Sequence, residues 1–283
     1  MQDTEAPHIV TVSDASAVYG DGGVPLEDPA EAYHEASKLY PSTLARQVAG
    51  SLSLAACPEL QESARRAVKR NLNRRTVALP PPHRCEAPLG EVLRARRSER
   101  GFGSRSVTLE ELATVLHAAY GVTRAATAED PQPLRAAPSG GALYPLEVYA
   151  ALARVDPVEP GLYHLDPLRN VLEVLERGPA PLTALEEAAI YPEIVASCAV
   201  TLLVTAMFWR TRFKYGLRGY RFALLEAGHV VQNVLLACTA LGLAAVPVGG
   251  FYDRPVDALL GADGVNESVV YAVSLGRPAE SRR

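Results

Sequence analysis

The chain has 283 residues, 48% of them apolar, and a formal net charge of −4; it is long enough for one large domain or two small ones, and too acidic overall for a general nucleic-acid binder. Its four cysteines, Cys57, Cys85, Cys198 and Cys238, form no CxxC pair, which argues against a disulfide framework or a zinc site and points to a reducing compartment. No run reaches the ~18 uninterrupted apolar residues of a membrane span, and the N-terminus lacks an apolar signal core. The expectation is a cytoplasmic protein with no membrane or nucleic-acid partner.

Residues 1–30 are polar and rich in Gly, Asp and Pro, and read as a flexible tail. Residues 31–80 read as an N-terminal helical extension, with "EAYHEASKLY" followed by "LARQVAG" and "ESARRAVKRNL". The proline-dense "LPPPHRCEAP", 79–88, is a linker into a second domain over 81–283. "LGEVLRARR" and "TLEELATVLHAAYG" have helical apolar spacing; in the second, Thr108 and Glu111 make a capping-box pattern and Gly121 a stop.

Further on, "LEVYAALARV", 146–155, reads as a strand, and "GLYHLDPLRNVLEVLER" as a hairpin turned at Asp166-Pro167. "TALEEAAI" is a short helix, and "CAVTLLVTAMFW", 198–209, a buried strand by its β-branched content. Residues 222–242 form a long helix closed by Gly242, and "AAVPVGGF" and "SVVYAVSLG" are the last strands. Helices alternating with strands, behind a helical extension, make an α/β or α+β architecture.

Four stretches carry residues suited to chemistry. "RARRSERGFGSRS", 94–106, crowds five arginines with Ser98, a clamp for phosphate or a solvated basic loop. In "APSGGALYPLEVY", 137–149, two glycines permit close backbone approach to a flat ligand, as they do in many ordinary turns. Glu226, His229 and Asn233, with Gln232 beside them, put polar groups on an apolar helix, to be satisfied in the core, to floor a site, or to meet a subunit. Gly249-Gly250 and Gly276-Arg277 follow the last two strands. There is no GxGxxG and no GxxxxGK[ST], so neither a Rossmann site nor a P-loop is supported.

In this order the motifs resemble the FMN-dependent nitroreductase superfamily and, within it, the SagB-type dehydrogenase (azoline oxidase) branch. "YHEASKLYP" is similar to a segment preceding the flavin domain of that branch, "RRSERGF" resembles its RRSxRxF, "PSGGALYPLE" its PSxGxxYP, and "KYGLRGYRFALLEAGHVVQN" its lysine-tyrosine segment and following helix. The resemblance spans residues 31–278. It implies an α+β fold: a mostly antiparallel central sheet flanked by helices, in a homodimer with FMN in the dimer cleft. It implies flavin contacts at Arg96, Arg97, Ser98, Arg100, Pro138, Ser139, Gly140, Gly141, Gly249, Gly250 and Arg277, and a catalytic pair at Lys214 and Tyr215. Plain nitroreductases carry an Asn near Leu143 and lack the Lys-Tyr pair.

The implied reaction oxidises a thiazoline or oxazoline ring in a peptide, ribosomal or non-ribosomal, with cyclodehydratase partner proteins. The alternative is a nicotinamide-driven nitro or quinone reductase. Ring oxidation needs a base, and a lysine serves as one at neutral pH only where burial or a neighbouring cation, here Arg212 or Arg218, lowers its usual ~10.4. Neighbouring strand residues face opposite ways, so for Lys214 and Tyr215 to reach one substrate, 213–216 is expected to be irregular, with Gly216 permitting it.

Overall fold

The computed structural model describes residues 28–41, 49–69, 71 and 73–279. Outside these lie the expected tail up to residue 27, the "LARQV" portion of the expected helical stretch, Arg70, Leu72 and residues 280–283. The chain divides into two units, Met1–Leu44 and Ala45–Arg283. In the first, α1 (Pro29–Ala36) starts at Asp28, whose carboxylate accepts from the Ala30 and Glu31 N–H groups at 2.7 and 3.2 Å.

The second unit opens with α2 (Ala49–Ala56) and α3 (Pro58–Arg65), then β1 (Thr76–Ala78) and α4 (Leu89–Ala95). There follow β2 (Val107–Thr108), α5 (Leu109–Tyr120), β3 (Val122–Arg124), β4 (Leu134–Arg135) and a single 3₁₀ turn at Gly140–Ala142. Then come β5 (Leu146–Leu152), β6 (Val155–Asp156), β7 (Gly161–Asp166), β8 (Val171–Arg177), α6 (Ala180–Ala188) and α7 (Pro192–Ser197). The chain closes with β9 (Val200–Met207), α8 (Trp209–Tyr215), α9 (Arg218–Ala240), β10 (Ala244–Val248), α10 (Asp253–Leu260) and β11 (Glu267–Gly276).

Seven strands form one sheet in the order β1-β8-β7-β5-β9-β11-β10, antiparallel at every pairing. This is the expected α+β architecture. The central strands read as continuous apolar runs because both faces are covered. Val148, Ala150 and Leu152 of β5 pack with α5 and α9, whereas Tyr149 and Ala151 pack with α6, α7 and α10. Alternation along the strand sends consecutive residues to the two cores.

Local patterns settle where several elements begin and end. The Thr108 hydroxyl accepts from Glu111 N at 3.2 Å and the Glu111 carboxylate accepts from Thr108 N at 2.9 Å, closing the expected capping box. The Asp166 carboxylate accepts from Leu168 N and Arg169 N at 3.0 and 3.1 Å, making the expected hairpin turn. The long helix starts at Arg218, earlier than expected. By length and composition α9 could cross a membrane. Here Ala223, Val230, Val231 and Val234 are buried on one side while Leu224 and Leu225 are exposed on the other.

The expected N-terminal helical extension ends differently. After α3 the chain runs as a strap over the end of the sheet and pairs β1 against β8 as an edge strand. Buried carboxylates peg the strap. Lys69 N donates to Glu147 (2.7 Å), and Asn71 N and Nδ2 donate to Glu173 (3.2 and 3.0 Å). Lys69 Nζ reaches Glu267 at 2.8 Å.

Candidate functional site

α8 leaves the end of β9 and stops at Gly216, whose φ of 56° and ψ of −137° only glycine adopts easily. Lys214 and Tyr215 therefore occupy the last turn of a helix, not the irregular segment expected from the sequence. On a helix, adjacent side chains diverge by about 100° rather than 180°, so both reach the same neighbour. That neighbour is Gly141. A Cβ there would lie 2.7 Å from Lys214 Nζ and 2.6 Å from Tyr215 Oη. The Tyr215 ring stands edge-on to Phe222 at 5.0 Å between centroids, and Phe222 lies 3.1 Å from where a Cβ on Gly140 would sit. The glycine pair thus rests in a cradle made by α8 and the first turns of α9, with an amine and a phenol at its rim.

The turn carrying these glycines is strained. Gly141, Ala142 and Tyr144 have φ of 67°, 53° and 45°, a region that costs about 1–3 kcal/mol for a side-chain-bearing residue. Its clamps are specific. Ser139 Oγ accepts from Tyr144 N at 2.9 Å, the Tyr144 hydroxyl accepts from Arg135 N at 3.0 Å, and Arg210 donates to the Tyr144 carbonyl at 3.2 Å. The Arg135 guanidinium lies 4.4 Å and 4.5 Å from the ring centroids of Tyr120 and Tyr144.

Beneath the turn sits Glu226, 2% exposed. The Tyr120 hydroxyl donates to it at 2.6 Å. Burial pushes its pKa up to about 7, against the opposing pull of Ser139, Tyr120, Arg135 and Arg210. Burial and the Glu226 charge in turn push the Tyr120 phenol well above its ordinary value. The polar stripe read from α9 does not stay on one face: Glu226 points inward, while His229 and Gln232 are exposed and Asn233 is half-buried.

The arginine loop lies elsewhere. α4 ends at Ala95 and the loop docks across β10 and the end of β11, through Glu99 N to the Ala245 carbonyl (3.0 Å) and Gly103 N to the Arg277 carbonyl (2.9 Å). Arg97, Ser98 and Arg100 are exposed and Arg96 half-buried. Among the described residues no carboxylate comes within 4.0 Å of Arg96, Arg97 or Arg100. Arg277 differs: its guanidinium is engaged by Glu111 at 2.7 Å and the Ser106 carbonyl at 3.2 Å. Gly249 faces open space and Gly250 packs on Ile190. Pro138 is exposed beside the half-buried Ser139. No hydrogen bond or ion pair among the described residues joins the arginine loop to the Pro138–Gly141 turn.

Lys214, Tyr215, Glu226 and the glycine turn stand out in the sequence, whereas Arg135, Tyr120, Arg210 and Phe222 do not. Those four have no local signature, because each meets a group far away in the chain, as Phe222 meets Gly140.

Residues 93–277 match the family model described as the nitroreductase family. The chain is 37% identical over 206 residues to a Methanocaldococcus jannaschii protein named as a nitroreductase, covering 72% of this chain and 98% of that one. It is 30% identical over 147 residues to the trifolitoxin-processing protein TfxB of Rhizobium leguminosarum bv. trifolii, covering 50% of this chain and 39% of TfxB. It is 31% identical over 139 residues to the microcin B17-processing protein McbC of Escherichia coli, covering 44% and 48%. These two matches span under half the length of each processing protein. Among solved structures, a nitroreductase-type protein of Ralstonia eutropha superposes with a TM-score of 0.60 at 26% identity, covering 75% of this chain and 93% of that one. The E. coli microcin synthetase McbBCD complex with truncated pro-MccB17 bound contains a chain with the same fold, at a TM-score of 0.55 and 21% identity, covering 90% and 98%.

Proposed function

The chain belongs to the nitroreductase family, and from that premise we propose that it is an FMN-dependent dehydrogenase that oxidises thiazoline or oxazoline rings in a peptide natural product. The observation that carries this reading is the meeting of Lys214 Nζ and Tyr215 Oη at Gly141.

The residues present fit a flat, anionic cofactor. Arg96, Arg97 and Arg100 offer guanidinium groups uncompensated by any described carboxylate within 4.0 Å, so an incoming phosphate gains bidentate partners without displacing an ion pair. Gly140 and Gly141 have no side chain, which lets Phe222, the amine and the phenol approach their backbone closely. In this reading Arg96, Arg97, Ser98 and Arg100 hold the phosphate and ribityl end, Pro138, Ser139, Gly140 and Gly141 line the ring, and Gly249 and Gly250 border it. Arg277 acts by anchoring the arginine loop. Among the described residues no hydrogen bond or ion pair joins the loop to the glycine turn, which favours a homodimer in which each subunit completes the other's site. The exposed Leu224 and Leu225 of α9 are the surface offered for that contact.

When bound, FMN supplies the hydride acceptor. The chain's own residues do the remaining work. The Lys214 amine takes the proton from the ring carbon, and Tyr215 orients the heterocycle and shares that proton. The substrate loses one hydride and one proton, two hydrogens in all, and the ring becomes aromatic. The names of TfxB and McbC, both peptide-processing proteins, support a peptide substrate, and the shared fold with a chain of a synthetase complex supports cyclodehydratase partners.

Mass spectrometry of an azoline-containing peptide incubated with the protein and FMN is expected to show loss of two hydrogens per ring. Lys214→Ala should keep the yellow flavin and lose turnover. Wild-type turnover in that variant overturns the assignment. A second reading has support in the M. jannaschii relative, matched over 98% of its length: nicotinamide-driven reduction of nitro or quinone compounds. Rapid bleaching of the bound flavin by NAD(P)H, with no reduction by the azoline peptide, selects it.

A further inference from the structure

Lys214 has a second environment. It also lines a cavity of about 380 Å³ whose far wall is α2 and α3. Leu54 and Ala55 of α2 and Ala64 of α3 face Gln132, Gly141 and Leu143 across it. The volume lies at the low end of ligand sites. Two other charged residues reach its rim, and each has a partner outside the cavity. Arg65 lies 3.6 Å from Glu62, and Asp130 lies 2.5 Å from Arg124. The Lys214 amine, which the proposed reaction uses as its base, reaches the same cavity and has no ion-pair partner among the described residues.

The wall is fixed to the element that carries this amine. A Cβ on Gly50, in the first turn of α2, would lie 1.7 Å from the Phe213 carbonyl oxygen and 3.0 Å from Lys214 Cα. The backbones of α2 and α8 meet there with no side chain between them, so the cavity wall and Lys214 are held in one register.

We propose that this cavity is the subsite for the stretch of substrate chain flanking the reacting ring, and that it selects small, uncharged flanking residues. The proposal rests on the azoline-oxidation reading, because that reading places the ring beside Lys214 and makes the adjoining cavity the continuation of the same cleft. The lining explains the selectivity. Uncharged side chains make up most of it, Leu54, Ala55, Ala64 and Leu143 among them, and a cationic flank would meet Arg65, whose carboxylate partner Glu62 is shared with Arg66.

Two substrates separate the possibilities: an azoline peptide with glycine and alanine flanks, and a minimal azoline carboxamide with no flanking residues. Ala55→Trp and, as a milder filling, Ala64→Leu narrow the cavity, and the flavin spectrum and melting curve report their folding. The ratio of kcat/KM for the peptide to that for the minimal azoline is expected to fall about ten-fold or more in Ala55→Trp, with a smaller fall in Ala64→Leu. Fluorescence anisotropy of the labelled peptide should show weaker binding in the same order. A ratio and an affinity unchanged in both folded variants overturn the subsite. Peptide binding that depends on the cavity, with neither substrate oxidised by the wild type, leaves the subsite standing and overturns the azoline chemistry instead.

Discussion

At Glu226, burial outweighs the hydrogen bonds that favour charge, so the side chain protonates at about 7 rather than near its ordinary 4.5. A carboxyl raised in the folded state stabilises fully below its unfolded pKa, and that contribution is lost as pH rises through the folded value. The difference amounts to roughly 3 kcal/mol at 1.36 kcal/mol per unit. The urea midpoint should therefore decline between pH 5 and pH 8, and Glu226→Gln should flatten the decline. A residual slope remains because His164, held between two carboxylates, is also raised. Ser139 links this carboxyl to the turn above it. Ser139→Ala removes the acceptor of Tyr144 N and leaves a tyrosine at φ 45° held only by Arg135 and Arg210. Denaturant titration should show a loss of about 1–2 kcal/mol.

The elements differ in how far the sequence announces them. The capping box of α5, the Asp166-Pro167 hairpin and the buried strand around Val200 are written in neighbouring residues, and each appears where expected. α8 is not. Its seven residues have no side-chain cap and no acidic residue in the first turn, so its helicity comes from packing between α2 and α9 rather than from propensity. That missing information decides the site, because a helix turns Lys214 and Tyr215 toward Gly141 together. Their identity was legible; the distant glycine they share was not, since nothing local joins the two segments. The end of α8 offers a clean test. Gly216 is surrounded by open space, so Gly216→Ala creates no clash and pays only for the backbone at φ 56°, ψ −137°. A loss of about 1–3 kcal/mol in equilibrium unfolding is expected, and a neutral result would mean that α8 and α9 rejoin by another turn.

Across the larger unit, charge rather than apolar packing closes one end of the sheet. His164, fully buried, sits 2.8 Å from Glu147 and 3.1 Å from Glu173; Arg210 pairs with Glu147 at 2.5 Å and Lys69 with Glu267 at 2.8 Å. Burial alone would raise both glutamates. The Arg210 charge and the His164 bond hold Glu147 below its ordinary value, and bonds from Asn71 and His164 do the same for Glu173. Their stabilisation is present above ~4.5 and is lost as pH falls through the depressed folded values, whereas that of His164 is lost as pH rises through its raised one. Maximum stability is expected on the mildly acidic side of neutrality. Lys69 is the member supplied by the strap, and its side chain is 26% exposed, so its loss costs less than the ~3–5 kcal/mol of breaking a fully buried pair. Lys69→Met should lower stability by about 1–3 kcal/mol and speed tryptic cleavage after Arg65, Arg66 and Arg74, on either side of the strap. Melting global stability without faster cleavage there would assign the strap's attachment to the pairing of β1 with β8, and the carboxylates beneath it would then serve the sheet alone.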